Sequence, residues 1–165
     1  MLFSKWTVFQ GAALAGLIAL AFVAELYTLP ISNALTSGST SSMLVMLTFI
    51  VLSSSLIHLF FIFHSKKSDR FLSHSLWNKM SVLTGFVLVV SVVLFIAASL
   101  ITSLNELLMN YRWNLYGLAY YFLFLYSLFV LSVVHKMKKD SPKETKIEIS
   151  FGATIASLCL LLFLF

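Results

Sequence analysis

Apolar residues fill five long blocks of the chain, and short polar segments separate the blocks. Each block is close to the roughly 20 residues that a helix needs to cross the hydrocarbon core of a bilayer. The blocks comprise residues 6–29, 43–64, 80–103, 113–135 and 147–165. The alternating ten-residue segments of a membrane barrel are absent, and backbone amides in lipid must bond internally. The pattern predicts an all-α protein, a five-transmembrane-helix bundle that forms one domain over residues 1–165.

The basic residues fall on one side of this arrangement. Of the eleven Lys and Arg residues, ten precede the first block or lie between blocks two and three or four and five, and Arg112 is the exception. Because positive residues are retained on the cytoplasmic side, we expect the amino terminus inside and the carboxyl terminus outside. Short loops and a strict charge bias favour a multi-pass protein of the cell membrane, typically a bacterial plasma membrane.

Charge and composition argue against a soluble domain and against a nucleic-acid-binding protein. Apolar residues make up 60% of the chain and charged residues 10%, so no soluble domain is expected. The net charge is +5, and nine of the eleven basic residues lie in two short connections. These lysines are expected to meet anionic inner-leaflet lipids, and no nucleic-acid partner is indicated. An alternative for the first block is a cleaved signal peptide ending near Ala19 and Ala21, although the apolar run continues beyond that site.

Small residues indicate where helices approach closely. They recur in the first block and in the fifth, at Gly11, Ala12, Ala15, Gly16 and Ala19 and at Gly152, Ala153, Ala156 and Ser157. In lipid such faces let two backbones meet, either within the chain or with another membrane protein or a second copy. The third block is rich in valine and is expected at the periphery. A weak similarity between the ends of blocks two and four suggests that two hairpins are parallel repeats.

Ionisable and hydroxyl side chains inside the blocks are the candidate functional residues, because polar groups in hydrocarbon are costly. Glu25 lies near the outer end of the first block, where Arg112 or Asn110 could pair with it. In block two, His58 shares a helical face with Ser54 and Ser55. This face is therefore expected to point toward protein. The tyrosines Tyr120 and Tyr126 reach comparable depths, so a hydrogen bond from His58 to Tyr126 or Ser54 is one expectation.

Histidines also occur where blocks two and four end. His64 and His135 share a depth, with His74 nearby, and together with His58 they are the weak candidates for a haem or metal ligand. No structural zinc site is indicated, because the spacing is not diagnostic and the single cysteine cannot complete a ligand set. The expected state is therefore a chain without cofactor.

Sequence motifs of enzymes are missing. There is no Gly-x-Ser-x-Gly, no His-Glu-x-x-His and no paired carboxylate inside a block. The interpretation that fits best is an accessory, assembly, regulatory or immunity-type subunit that acts through helix contacts with other membrane proteins. Two alternatives stay open: a small permeation or ligand-binding module with a polar interior around His58, and a haem- or metal-binding electron carrier.

Overall fold

The fold is a bundle of α-helices. A computed structural model describes residues 4–26, 40–68, 71–72, 76–101 and 112–164. Within these residues the chain forms five helices: α1 (Lys5–Leu26), α2 (Thr40–Lys67), α3 (Trp77–Ile101), α4 (Arg112–Met137) and α5 (Lys143–Leu164). The prediction of an all-α bundle is confirmed. His74 lies outside the described residues.

Four of the helices, α1 to α4, are long and apolar enough to cross a membrane. In the described part of the chain α5 is not among them, since it carries Lys143, Glu144, Lys146 and Glu148 near its start. Its first backbone hydrogen bond runs from Lys146 N to the carbonyl of Pro142. A proline directly before the first helical residue costs no helical hydrogen bond, because an amide at that position would have had no partner in the helix.

Helices α2 and α4 form the centre of the bundle. Each contacts the other, and α5 packs against both. Helix α1 packs mainly on α2 and touches α4, whereas it makes no contact with α5 among the described residues. Since both α1 and α5 touch the central pair but not each other, they lie on opposite sides of it. Helix α3 contacts α4 alone within the described chain.

The helix ends that carry the lysines meet at one end of the bundle, which we call the basic end. Trp6 of α1 stacks on Phe63 of α2 with ring centroids 6.3 Å apart. Trp77 of α3 lies 5.7 Å from the ring of His135 on α4. Lys66 Nζ lies 3.9 Å from a carboxylate oxygen of Glu144 at the start of α5. Consecutive helices are therefore antiparallel.

The buried apolar cluster of the core also lies toward the basic end. Its buried members come from α2 to α5 and from the connection after α2: Ile57, Phe61, Leu72, Trp77, Leu123, Leu131 and Ile147. Leu17 of α1 packs against them. Leu72 has a φ of 63°, which is rare for a residue with a Cβ, and its side chain is buried. Leu72 and Trp77 are both buried and pack into the bundle.

Two further expectations can be compared with the packing. Most side chains of α3 face away from the bundle, which confirms its peripheral position. The repeat of two hairpins is not reflected in the contacts. Helix α5 packs on α4, but α3 makes no contact with α2 in the residues described, so the two hairpins are not equivalent.

Candidate functional site

A strip of hydroxyl groups lies between α2, α4 and α5. It contains Ser54 of α2, Ser127 of α4, and Ser150 and Thr154 of α5, all of them buried. The period of the α-helix brings Ser150 and Thr154, four residues apart, onto one face of α5. The prediction that the Ser54 face of α2 points toward protein is confirmed, since Ser54 is 2% exposed.

The strip lines a small cavity of about 10 Å³, to which His58, Phe61 and Phe151 also contribute. A volume of this size is at the lower limit for holding one water molecule. Pockets for drug-sized ligands and cofactors are about 300–1,000 Å³. In this conformation the cavity can therefore hold a water molecule, but neither a haem nor an organic substrate.

The donors and acceptors around the cavity are unevenly used. Ser150 Oγ donates to the carbonyl of Ile147 at 2.7 Å, and Thr154 Oγ1 donates to the carbonyl of Ser150 at 2.8 Å. Both hydroxyls keep lone pairs that can accept. Ser54 Oγ is buried with no hydrogen-bond partner among the described residues. The cavity thus joins one unused hydroxyl to two acceptors, which is an arrangement that suits water.

His58 is held by an aromatic contact. Its imidazole stacks on Phe151 of α5, with centroids 4.3 Å apart and the planes 21° from parallel. Of the two expected partners of His58, Tyr126 donates instead to Ser157 Oγ at 2.7 Å, and Ser54 Oγ has no hydrogen-bond partner among the described residues. Ser55 Oγ donates to the carbonyl of Val51 in its own helix. The structure therefore brings Ser54 and His58 to one cavity, but not Ser55 or Tyr126.

The tyrosines of α4 connect that helix to its neighbours. Tyr120 donates to the backbone carbonyl of Leu17 on α1 at 2.8 Å. Tyr116 donates to a carboxylate oxygen of Glu25 at 3.2 Å, near the other end of α1. The predicted partner Asn110 and the side chain of Arg112 lie outside what the structure describes. Glu25 and Tyr120 thus belong to the α1–α4 contact and not to the cavity.

His64 and His135 lie at the basic end and are joined through aromatic rings. Phe71 contacts His64 edge-on at 4.8 Å and Trp77 at 5.2 Å, and Trp77 in turn contacts His135. Nδ1 of His64 accepts a hydrogen bond of 2.9 Å from the side-chain amide of Gln10. Nδ1 of His135 is buried without a hydrogen-bond partner in the described chain.

Neither group of histidines forms a recognisable metal site. The described residues contain no group of three or more His, Cys, Asp or Glu side chains that could hold a metal ion. His58 faces a cavity too small for a porphyrin, and one ring nitrogen of His64 is used by Gln10. The geometry thus gives the electron-carrier alternative no support in these residues.

Several polar residues in contacts between helices were not singled out from the sequence. Gln10 is 8% exposed, and Thr84 Oγ1 of α3 lies 3.2 Å from Ser132 Oγ of α4. The signal was present for Gln10, because an amide in an apolar block needs a partner. The sequence contains no such signal for Thr84 and Ser132, because short hydroxyl side chains can bond to their own helix, as both do here.

Taken together, the interior polar groups mostly join helices to each other. Comparison with known proteins gave no match: no protein-family model, no curated protein and no solved structure is significantly similar to this chain.

Proposed function

We propose that this is a multi-pass protein of a cell membrane, of bacterial type, in which all five helices cross the bilayer with the amino terminus in the cytoplasm and the carboxyl terminus outside. The meeting of lysine-bearing helix ends at the basic end supports this orientation. The charged residues of α5 support it too, since they lie in the first two turns, and Lys146 Nζ donates to the carbonyl of Lys139 in the preceding connection. Beyond Ile147 the helix is apolar apart from Glu148 and a few hydroxyls.

Cysteine labelling tests this topology. In a Cys159→Ser background, a cysteine at Ser4 should react with a membrane-impermeant maleimide only after the membrane is opened. A cysteine added after Phe165 should react in intact cells. If both positions react on the same side, the five-span arrangement is wrong, and an even number of spans replaces it.

Within the membrane, we propose that the protein is an accessory, assembly, regulatory or immunity-type subunit that binds other membrane proteins through its helices. The observation that carries this proposal is the exposure of two small-residue faces. On α1 the face contains Gly11, Ala12, Ala15 and Ala19, and on α5 it contains Gly152, Ala153 and Ala156. A Cβ built on Gly11 or on Gly152 would meet nothing within 4 Å.

Exposure of small residues matters because of how helices associate in lipid. Apolar side chains gain nothing by leaving lipid for a protein surface, so association depends on close packing between backbones. Gly16, which belongs to the same sequence pattern, is already used inside the chain, where its Cβ position lies 3.1 Å from Leu56 of α2. The exposed remainder of the pattern is free to pack against a helix of another protein or of a second copy.

Co-purification from the native membrane tests the proposal. The unchanged protein should carry a membrane protein in fixed stoichiometry, or a second copy of itself. Ala15→Ile or Gly152→Ile should remove that partner, because the added side chain holds the backbones apart. Val82→Phe is the control, since Val82 on α3 is 71% exposed and belongs to neither small face. Recovery of a monomer alone, with unaltered membrane complexes after deletion of the gene, would contradict the proposal.

The second candidate is a permeation or ligand-binding module, favoured by the cavity beside His58 and by the unbonded hydroxyl of Ser54. It requires an opening that enlarges the cavity. Purified protein in liposomes should then increase the flux of protons or a small solute, and His58→Leu should abolish that flux. Thr84→Val, at the α3–α4 contact, is the matched control because it removes a buried hydroxyl that does not line the cavity.

A further inference from the structure

Two lysines converge on one indole ring at the basic end. The ammonium of Lys5 lies 5.2 Å from the centroid of Trp6, and the ammonium of Lys66 lies 5.4 Å from the same centroid. Lys5 and Trp6 are the first two residues of α1, whereas Lys66 lies in the last turn of α2. The ring therefore marks a point at which two chain segments bring positive charge together.

The same ring begins an aromatic surface. Trp6 contacts Phe9 and Phe63 with centroid distances of 6.0 Å and 6.3 Å, and Phe9 contacts Phe63 at 5.3 Å. Phe9 is 47% exposed, so this surface is open on its outer side. Phe9 lies one turn further along α1, and Phe63 one turn before the end of α2. The aromatic rings thus extend from the two ammonium groups toward the middle of the bundle.

The positive charge is poorly compensated within the described residues. A ring face attracts a cation weakly at an exposed site. Glu144 lies 3.9 Å from Lys66, but the two side chains are 65% and 40% exposed, and such pairs contribute little. Lys67 adds further positive charge at the end of α2. An anion near Trp6 would lie within reach of both ammonium groups and would compensate their charge.

We propose that Lys5, Lys66, Trp6, Phe9 and Phe63 form a site for one anionic phospholipid. The phosphate would bind between the two ammonium groups, and an acyl chain would lie along the exposed face of Phe9 and Phe63. Lysine binds phosphate as a point charge, so no fixed bidentate geometry is required. The site selects a headgroup with net negative charge over a zwitterionic one. This inference rests on the proposed membrane location, but not on the proposed partner subunit.

Fluorescence quenching in lipid nanodiscs tests the site with the full chain. One preparation contains brominated phosphatidylglycerol and the other brominated phosphatidylcholine, at the same low mole fraction in unbrominated phosphatidylcholine. The contribution of Trp6 is the difference between the natural protein and Trp6→Phe. We expect the anionic lipid to be enriched at Trp6 by a factor of about five for each lysine that contacts it.

Matched variants identify the groups responsible. The double variant Lys5→Gln, Lys66→Gln should lose the preference for the anionic lipid, whereas Lys5→Arg, Lys66→Arg should keep it, which controls for misfolding. Lys138→Gln, Lys139→Gln changes two exposed lysines in the connection between α4 and α5 and should leave the preference intact. Persistence of the preference without Lys5 and Lys66 would overturn the proposal.

Further measurements separate the lipid from free phosphate and the site from the membrane location. Displacement of the anionic lipid by inorganic phosphate at constant ionic strength would overturn the lipid assignment, since it indicates a free-phosphate site. Equal quenching of Trp6 by both brominated lipids would overturn the site while leaving the membrane location intact. Failure of either lipid to quench Trp6 or Trp113, each on the surface of an apolar helix, would contradict the membrane location itself.

Discussion

The side-chain amide nitrogen of Gln10 lies 2.9 Å from Nδ1 of His64 and ties α1 to α2 at the basic end. An amide nitrogen only donates, so Nδ1 accepts, and the neutral imidazole carries its proton on Nε2. The ring also contacts Phe71 and Phe60, with centroid distances of 4.8 Å and 6.2 Å. Gln10 is 8% exposed, so water does not readily replace the bond. His64 is thus a structural partner of α1 in this conformation.

Replacing Gln10 by methionine, which has a similar length and no amide, should therefore weaken the contact between α1 and α2. Hydrogen bonds between membrane helices contribute about 0.6 kcal/mol on average and at most about 2 kcal/mol, so a loss of unfolding free energy in this range is expected. Unfolding in mixed micelles measures it. Thr48→Val is the control, because the hydrogen bond of Thr48 in the described part of the chain goes to the carbonyl of Leu44 in its own helix. An equal loss in both variants would contradict a specific Gln10 to His64 bond.

The hydrogen bond from Tyr126 to Ser157 should couple α4 to α5 energetically. A double-mutant cycle with Tyr126→Phe and Ser157→Ala is expected to give a coupling of about 0.6 kcal/mol in unfolding free energy. The control cycle pairs Ser157→Ala with Tyr121→Phe, because Tyr121 bonds to Ser91 of α3 at 2.7 Å. That control should give no coupling. A coupling in both cycles would indicate a general rearrangement of α4 instead of this bond.

These two bonds show how far the sequence determines the structure. The helices follow from the length of apolar chain that a bilayer requires, and the burial of Ser54 follows from its place on a polar face. The hydrogen-bond partner of Tyr126 could not be predicted from the sequence, because a similar depth in the membrane does not determine how α4 is rotated about its axis. Gln10 pairs with a residue 54 positions away, which no local pattern specifies. Partner choice depends on how the helices pack, and small-residue spacing marks a close contact without specifying which helix fills it.

Ser54 and Ser132 should respond differently to loss of the hydroxyl group. Ser132 Oγ donates to the carbonyl of Phe129 at 2.6 Å and lies beside Thr84, so Ser132→Ala should lower the unfolding free energy by about 1 kcal/mol. Ser54 Oγ has no partner among the described residues. Ser54→Ala should then leave the unfolding free energy unchanged or slightly higher, because an unbonded buried hydroxyl is unfavourable. A loss at Ser54 as large as that at Ser132 would show that the cavity holds a water molecule bound to Ser54.

Substitutions at two glycines of α1 should distinguish the face that packs on α2 from the face that is exposed. A Cβ on Gly16 would lie 3.1 Å and 3.4 Å from the methyl carbons of Leu56, whereas Gly11 has nothing within 4 Å. Gly16→Leu should therefore push α1 away from α2 and lower the unfolding free energy of the monomer by about 1–3 kcal/mol, as overpacking does.

Gly11→Leu is the matched variant, since it adds the same side chain to the same helix on its exposed face. The unfolding free energy of the monomer should change by less than about 0.5 kcal/mol, as is usual for surface substitutions. If Gly11→Leu nevertheless removes a co-purifying membrane protein, it does so without damaging the bundle, which assigns the exposed face of α1 to the partner. If Gly11→Leu destabilises the monomer as much as Gly16→Leu, that face is packed within the chain, and the proposed interaction surface on α1 is wrong.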